Sequence, residues 1–193
     1  MNFCSHCGSP VEQKIPQGDN RTRYVCTNCE MIHYQNPRII AGCIAEHEGQ
    51  ILLCKRAIEP RHGLWTLPAG FMENNETTRQ AAERETLEEA CAQLSDVNFF
   101  CSYSIPHISQ VYIMYTGRLV NGYSAPGEES LATALYSEQD IPWHQLAFPV
   151  VSESLKLFFA DRRQGRLLTH NGEIYRDENQ QLVVKNYAPC PDE

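Results

Sequence analysis

Residues 70–92 read GFMENNETTRQAAERETLEEACA and, after Glu73, crowd five more glutamates, Glu76, Glu83, Glu85, Glu88 and Glu89, around two arginines, Arg79 and Arg84, without a lysine. The stretch predicts a helix from about residue 76 to residue 92, with Thr77 or Thr78 as its cap. At about 100° per residue, Arg84 and Glu88 stack one turn apart, as do Glu85 and Glu89. The four form an acidic ridge with a single cation on it. Like charges one turn apart repel, and carboxylates near a helix C-terminus oppose the macrodipole. Selection for stability alone would avoid such a ridge. A bound divalent cation accounts for it, because hard cations such as Mg²⁺ take carboxylate oxygens and bridge to phosphates.

On either side of this helix the pattern turns to strands. Residues 39–45 and 50–55 read as a strand pair joined at 46–49, and 64–68 as a short extended piece ending at Gly70. Strands follow at 98–104, 110–119 and 132–136, with a polar loop over 121–129. Pro149 suits the first turn of a second helix through Arg163, with Val151, Leu155, Phe158 and Phe159 on its core side. Residues 166–193 form an extension in which Asn171-Gly172 signals a hairpin turn. This order of elements is an α+β domain.

Nearer the N-terminus, Cys4-Ser-His-Cys7 and Cys26-Thr-Asn-Cys29 make two C-x-x-C pairs separated by 18 residues. That spacing suits a structural zinc site in which Cys4, Cys7, Cys26 and Cys29 give four sulfur ligands and leave no open position. Two disulfides or four unrelated thiols are the alternatives, and a reducing compartment disfavours the first. His6 could replace a ligand, but with four thiolates present it reads as a solvent-facing residue. The intervening VEQKIPQGDNRTRYV predicts two short strands turning at 16–20. Residues 1–35 are therefore a zinc ribbon whose role is to stabilise a module too small to build its own core. Cys43, Cys54, Cys91 and Cys101 sit in apolar runs and read as packing residues, and Cys190 lies in a polar tail.

The net charge of −8 gives no general attraction to nucleic acid or anionic membranes, and no nucleic-acid partner is expected. No run of 18 apolar residues is present, and MNFCSHCGSP has neither the basic nor the apolar region of a secretory leader. The expected location is cytoplasmic, with no membrane partner.

Gly70, Glu76, Arg84, Glu85, Glu88 and Glu89 stand at the spacing G-x5-E-x7-R-E-U-x-E-E-x-G-U, where U is a bulky aliphatic residue, so the chain resembles the Nudix hydrolases. Thr86, Cys91 and Ala92 depart from the pattern at positions that supply no metal ligand. Cys91 in place of glycine suggests a helix ending without a left-handed cap. The ribbon, Tyr34-Gln-Asn-Pro37, Leu53-Cys-Lys-Arg56 and Gly63-Leu-Trp-Thr-Leu-Pro68 are similar to zinc-ribbon members of the plant chloroplast FAD/ADP-ribose pyrophosphatase type. The resemblance implies an α/β/α sandwich with a mixed β-sheet over residues 36–165. It implies that Glu85, Glu88 and Glu89, with the Gly70 carbonyl, hold Mg²⁺ or Mn²⁺ for hydrolysis of a diphosphate. In that scheme Arg84 orients the glutamates by ion pairing, and Glu76 pairs with an arginine at the helix start. Glu129, in Ala125-Pro-Gly-Glu-Glu129, is the candidate further acid, as metal ligand or general base. Arg56 is the candidate phosphate clamp, with a surface arginine as the alternative.

The resemblance points to a nucleoside diphosphate derivative as substrate. FAD and ADP-ribose lead, each yielding AMP. NADH-cleaving relatives carry S-Q-P-W-P-F-P-x-S, of which only Ser109-Gln110 is present, so NADH and other dinucleotides rank second. Pro106 stands one residue short of the position after Cys91 where ADP-ribose-cleaving relatives often carry a proline. Tyr103, Tyr112, Phe99 and Trp65 are candidate stacking platforms, though aromatics in apolar strands more often serve the core. A non-catalytic nucleotide-sensing or nucleic-acid-binding regulator stays open, as does a homodimer.

Overall fold

The computed structural model describes residues 1–188, and Cys190 lies outside them. Two compact units divide the chain, Met1–Pro37 and Arg38–Glu193.

The first unit is a three-stranded antiparallel sheet in the order β1 (Val11–Lys14), β2 (Arg23–Cys26), β3 (Ile32–His33). The first two strands are those the sequence predicts. β3 joins them because the second cysteine knuckle turns the chain back, with Cys26 N–H donating to Met31 O at 2.9 Å. Asp19 accepts from the Asn20 and Arg21 amides and pairs with Arg23 at 2.8 Å, which closes the turn between β1 and β2.

In the second unit, β4 (Arg38–His47) and β5 (Gln50–Arg56) form a hairpin. Its turn residues Glu48 and Gly49 both have positive φ, as a tight hairpin of this twist requires. β6 (Trp65–Thr66) and β7 (Ala69–Phe71) lead into α1 (Thr78–Ala90). The long strands β8 (Leu94–Ile105) and β9 (Gln110–Leu119) follow, then β10 (Ser130–Tyr136) and α2 (Pro149–Arg163). The described chain ends with β11 (His170–Arg176) and β12 (Leu182–Asn186). The sheet runs β10-β5-β4-β9-β8-β11-β12, with β6 on β5 and β7 on β4. β4 with β9 and β8 with β11 are parallel pairs and the rest antiparallel, so the sheet is mixed.

Alternation along the central strands divides the core in two. Ala41, Cys43 and Ala45 of β4 and Leu52 and Cys54 of β5 pack with Ala81, Ala82 and Ala90 of α1. Ile44, Ile51 and Leu53 face the other way, onto Val151, Leu155, Phe158 and Phe159 of α2. One helix on each face makes the α/β/α sandwich that the family resemblance implies.

Two local expectations are corrected. Asn171 and Gly172 lie inside β11 rather than at a turn. Gly172 is needed there for close approach, since a Cβ would press on Tyr103 and on the Lys185 carbonyl. The hairpin turns instead at 177–181, where the Asp177 carboxylate accepts from the Asn179 and Gln181 amides. Second, α1 does end in a left-handed cap. Cys91 takes φ 49° and donates to Leu87 O, while the Ala92 amide donates to Thr86 O. The Leu87 and Thr86 carbonyls are thereby satisfied without glycine. Cys91 is also exposed, whereas Cys43, Cys54 and Cys101 are buried as packing residues.

Candidate active site

α1 starts on a capping box, with Thr77 Oγ1 accepting from the Gln80 amide and the Gln80 side chain accepting from the Thr77 amide. The Thr78 hydroxyl then meets the Tyr115 hydroxyl at 2.6 Å, fixing the first turn to β9. Because its sheet-facing residues are alanines, the helix lies close to strands that are themselves small-sided. Burial along the helix is inverted as a result: Leu87 is 50% exposed, while Glu85 and Glu89 are 9% and 6% exposed. A Cβ at Gly70 would stand 2.3–2.4 Å from the Glu85 carboxylate atoms, so a side chain there would displace that carboxylate from its place.

Arg84 organises one side of the ridge. Its Nη1 donates to Glu85 Oε1 at 2.7 Å and to Glu88 Oε2 at 2.9 Å. Nε and Nη2 hold Glu76 at 3.0 and 2.8 Å, and Nη2 also reaches the Phe71 carbonyl. Arg84 and the Glu73 amide hold the Glu76 carboxyl down at about 2. Glu89 has no such partner. Among the described residues its Oε2 accepts from the Ala69 amide alone, at 3.3 Å, and burial pushes its carboxyl up to about 8. Burial also raises Glu85, against the pull of Arg84. Two desolvated carboxyls beside an exposed third form an oxygen-rich set whose charge Arg84 offsets only in part, at Glu85 and Glu88. That donor chemistry fits a hard divalent cation, with Gly70, Glu85, Glu88 and Glu89 as the residues that would hold it.

These residues line a cleft of about 880 Å³, large enough for a dinucleotide-sized ligand. Arg84, Glu129 and Arg56 line it too, so the structure brings together the candidate metal ligands, the candidate further acid and the candidate phosphate clamp. Arg56 is buried rather than a surface arginine. Its Nε donates to Pro60 O at 3.0 Å and its guanidinium lies 5.1 Å over the Phe148 ring. Of the four candidate platforms only Tyr112 reaches the cleft. Tyr103 is buried with its hydroxyl on Asn186, Phe99 stands against Tyr115, and Trp65 against Tyr136. Phe71 and Phe148 form cleft wall that the sequence reading missed. Phe71 had a signal, since it directly follows Gly70. Phe148 had none, because only folding brings the start of α2 to the end of β5.

In the ribbon, Cys4, Cys7, Cys26 and Cys29 have all their sulfurs within 4.8 Å of one another. The Cys4–Cys29 and Cys7–Cys26 separations are 3.7 and 3.4 Å, near the ~3.8 Å sulfur–sulfur edge expected for tetrahedral zinc thiolate. The amides of His6, Asn28 and Cys29 donate to the sulfurs, as the loops of a zinc site do. The cluster thus fits structural Zn²⁺. His6 is exposed, and the histidine beside the cluster is instead His33, whose Nε2 lies 3.3 Å from Cys4 Sγ.

Among the described residues no helix is long and apolar enough to cross a membrane. Comparison with known proteins agrees with the geometry. Residues 2–35 match the Nudix N-terminal zinc-ribbon family and residues 36–158 the NUDIX domain. A NUDIX hydrolase from Nitrosomonas europaea of known structure is 51% identical, covers 91% of this chain and 100% of its own, and superposes with a TM-score of 0.88. A MutT protein from Bacillus halodurans, 18% identical over 76% of this chain and 94% of its own, shares the fold with a TM-score of 0.57. The NAD-capped RNA hydrolase NudC of Photobacterium profundum is 29% identical over 84% of this chain and 61% of its own length. The chain thus spans less than two thirds of that curated relative. With the glutamate helix, the mixed sheet and the ribbon all in place, the chain belongs to the NUDIX domain family, in the form that carries an N-terminal zinc ribbon.

Proposed function

We propose that this protein is a metal-dependent pyrophosphohydrolase that cleaves the diphosphate bridge of a nucleoside diphosphate derivative, FAD or ADP-ribose, and releases AMP. The observation that carries this reading is the cleft itself, with Glu85, Glu88 and Glu89 beside Gly70 and the buried Arg56 lining the same space. Mg²⁺ or Mn²⁺ held by those carboxylates would offset the diphosphate charge and acidify a water molecule. Arg84 fixes the rotamers of Glu85 and Glu88 and does not touch substrate. Arg56, held by Pro60 and Phe148, presents its guanidinium to the diphosphate oxygens. Glu129 accepts the proton of the attacking water. The water oxygen forms a new bond to one phosphorus, the bridging P–O bond breaks, and two phosphate monoesters result. Zn²⁺ in the ribbon is structural, and the cytoplasm is the compartment that keeps its thiols reduced.

The preference for FAD and ADP-ribose rests on the likeness to plant chloroplast enzymes. A second reading, a dinucleotide such as NADH or an NAD-capped RNA, draws support from the curated NudC relatives and from Gln110, which lines the cleft. Metal-dependent AMP release from FAD, ADP-ribose, NADH, coenzyme A and NAD-capped RNA, measured in parallel, decides between them. FAD or ADP-ribose should turn over fastest. A faster rate on NADH or capped RNA selects the second reading and brings in a nucleic-acid partner. No turnover on any substrate with either metal would leave a nucleotide sensor. The homodimer belongs to the same proposal, and sedimentation velocity checks it.

A further inference from the structure

The polar loop over 121–129 does not stand free of the helix. The Ala125 amide donates to Ala90 O at 2.8 Å and the Gly127 amide to Glu89 O at 3.0 Å, so the loop satisfies carbonyls in the last turn of α1. The approach is closer still at Gly127, where a Cβ would overlap the Glu88 carbonyl oxygen. Beyond Gly127 the chain is pinned again, since the Glu129 carbonyl accepts from the Ala57 amide at 2.8 Å. Glu128 and Glu129 are suspended between these two attachments, exposed and lining the cleft. The helix that carries Glu88 and Glu89 therefore also sets where Glu129 sits.

We propose that Gly127 is a positioning residue, whose close seat on the last turn of α1 holds the Glu129 carboxylate against the Glu85/Glu89 pair. This rests on the reading of the cleft as a hydrolytic metal site. It goes beyond that reading in assigning the loop's register to backbone contact between Gly127 and Glu88. Any side chain at 127 must lift the loop off the helix, and Glu129 moves with it.

Mn²⁺ binding, followed by electron paramagnetic resonance, tests this without needing turnover. The variants are Gly127→Ala, Glu129→Gln and the double substitution, with thermal melts to confirm folding. Each single change should weaken Mn²⁺ binding by roughly tenfold, and the double change should weaken it no further than either alone. Additive losses, or no loss in either single variant, would overturn the proposal. One glycine inserted between Gly127 and Glu128 provides a second route, keeping the Gly127–Glu89 hydrogen bond while displacing Glu129. It should match Glu129→Gln, and wild-type affinity in that variant would also overturn the proposal. Turnover on FAD or ADP-ribose is read separately: its absence in the wild type counts against the hydrolase reading, while the Mn²⁺ series still decides the role of Gly127.

Discussion

The two faces of the central sheet are built from different side chains. Against α2 lie Ile44, Ile51, Leu53, Phe100 and Met114, meeting Leu155, Phe158 and Phe159. Against α1 lie Ala41, Cys43, Ala45 and Cys54, with Leu52, Val97, Tyr115 and Leu119 as the larger members, and three alanines of the helix meet them. A buried Leu, Ile or Phe contributes about 1.5–3 kcal/mol, and an alanine far less. The α1 face also holds two carboxyls out of water, while the one leucine of that helix is half exposed. Cohesion therefore belongs to the α2 face. Small side chains on the α1 face forgo burial energy but let the helix backbone come close enough for Glu85 to rest on Gly70 and for Glu89 to reach the Ala69 amide.

That division predicts two opposite kinds of variant. Glu89→Gln should lower kcat by roughly 10³-fold, the scale of losing a cation worth several kcal/mol to the transition state. The metal-free melting temperature should not fall, because a neutral isostere replaces a carboxyl that burial disfavours. Calorimetry beside steady-state kinetics checks both, and loss of folding with loss of rate would show that the α1 face is also a stability element. On the other face, Phe158 is 2% exposed and packs edge-on against Phe100 and Phe159. Phe158→Ala should lower the unfolding free energy by about 3–4 kcal/mol in denaturant titration. Activity per folded molecule in the cold should stay near wild type. If a folded Phe158→Ala protein loses turnover, the two faces are not separable.

The α1 face was the more legible in sequence, because its information is local. The spacing from Gly70 to Glu89 lies along one turn-and-helix segment, and the helix geometry turns that spacing directly into a shared face. The α2 helix was also readable from Pro149 and its apolar periodicity. What stayed hidden is whatever depends on pairing between distant strands. Asn171-Gly172 has turn chemistry, yet parallel pairing with Cys101–Tyr103 on β8 overrides it and sends the turn to Asp177. Three of the four candidate aromatic platforms are taken up by contacts between distant strands, which composition does not reveal: Tyr103 stands opposite Tyr112 but places its hydroxyl on Asn186, Trp65 packs on Tyr136 and Phe99 on Tyr115.

The buried acid of the α1 face should also make the metal site pH-dependent. The Glu89 carboxyl titrates near 4.5 when unperturbed and is pushed up to about 8 in the fold. Between those values the native state keeps a proton that the unfolded chain has lost, so the stability this group contributes is full below 4.5 and is lost as pH rises to about 8. A cation reverses the sign, because it binds the ionised form. Mn²⁺ affinity should therefore rise by up to about tenfold per pH unit below pH 8, with proton release on binding. Titration calorimetry in buffers of different ionisation heat measures this. In Glu89→Gln the slope should shrink, and an unchanged slope would place the titrating group elsewhere, with Glu85 the next candidate.

The smallest effect sits at the end of the same helix. Cys91 occupies a left-handed conformation at φ 49°, with its side chain exposed and so gaining little from packing. A non-glycine residue pays roughly 1–2 kcal/mol of steric strain there, and glycine would remove that strain at an entropic cost of about 0.5–1 kcal/mol in the unfolded chain. Cys91→Gly should therefore raise stability by about 1 kcal/mol, or about 2–4 °C in Tm for a domain of this size. The gain should come without change in kcat, because the Cys91 amide keeps its bond to Leu87 O whatever the side chain. A gain in stability accompanied by a loss in rate would mean that strain at Cys91 helps to set the position of Glu88 and Glu89, and the α1 face would then hold more of the site than its carboxylates.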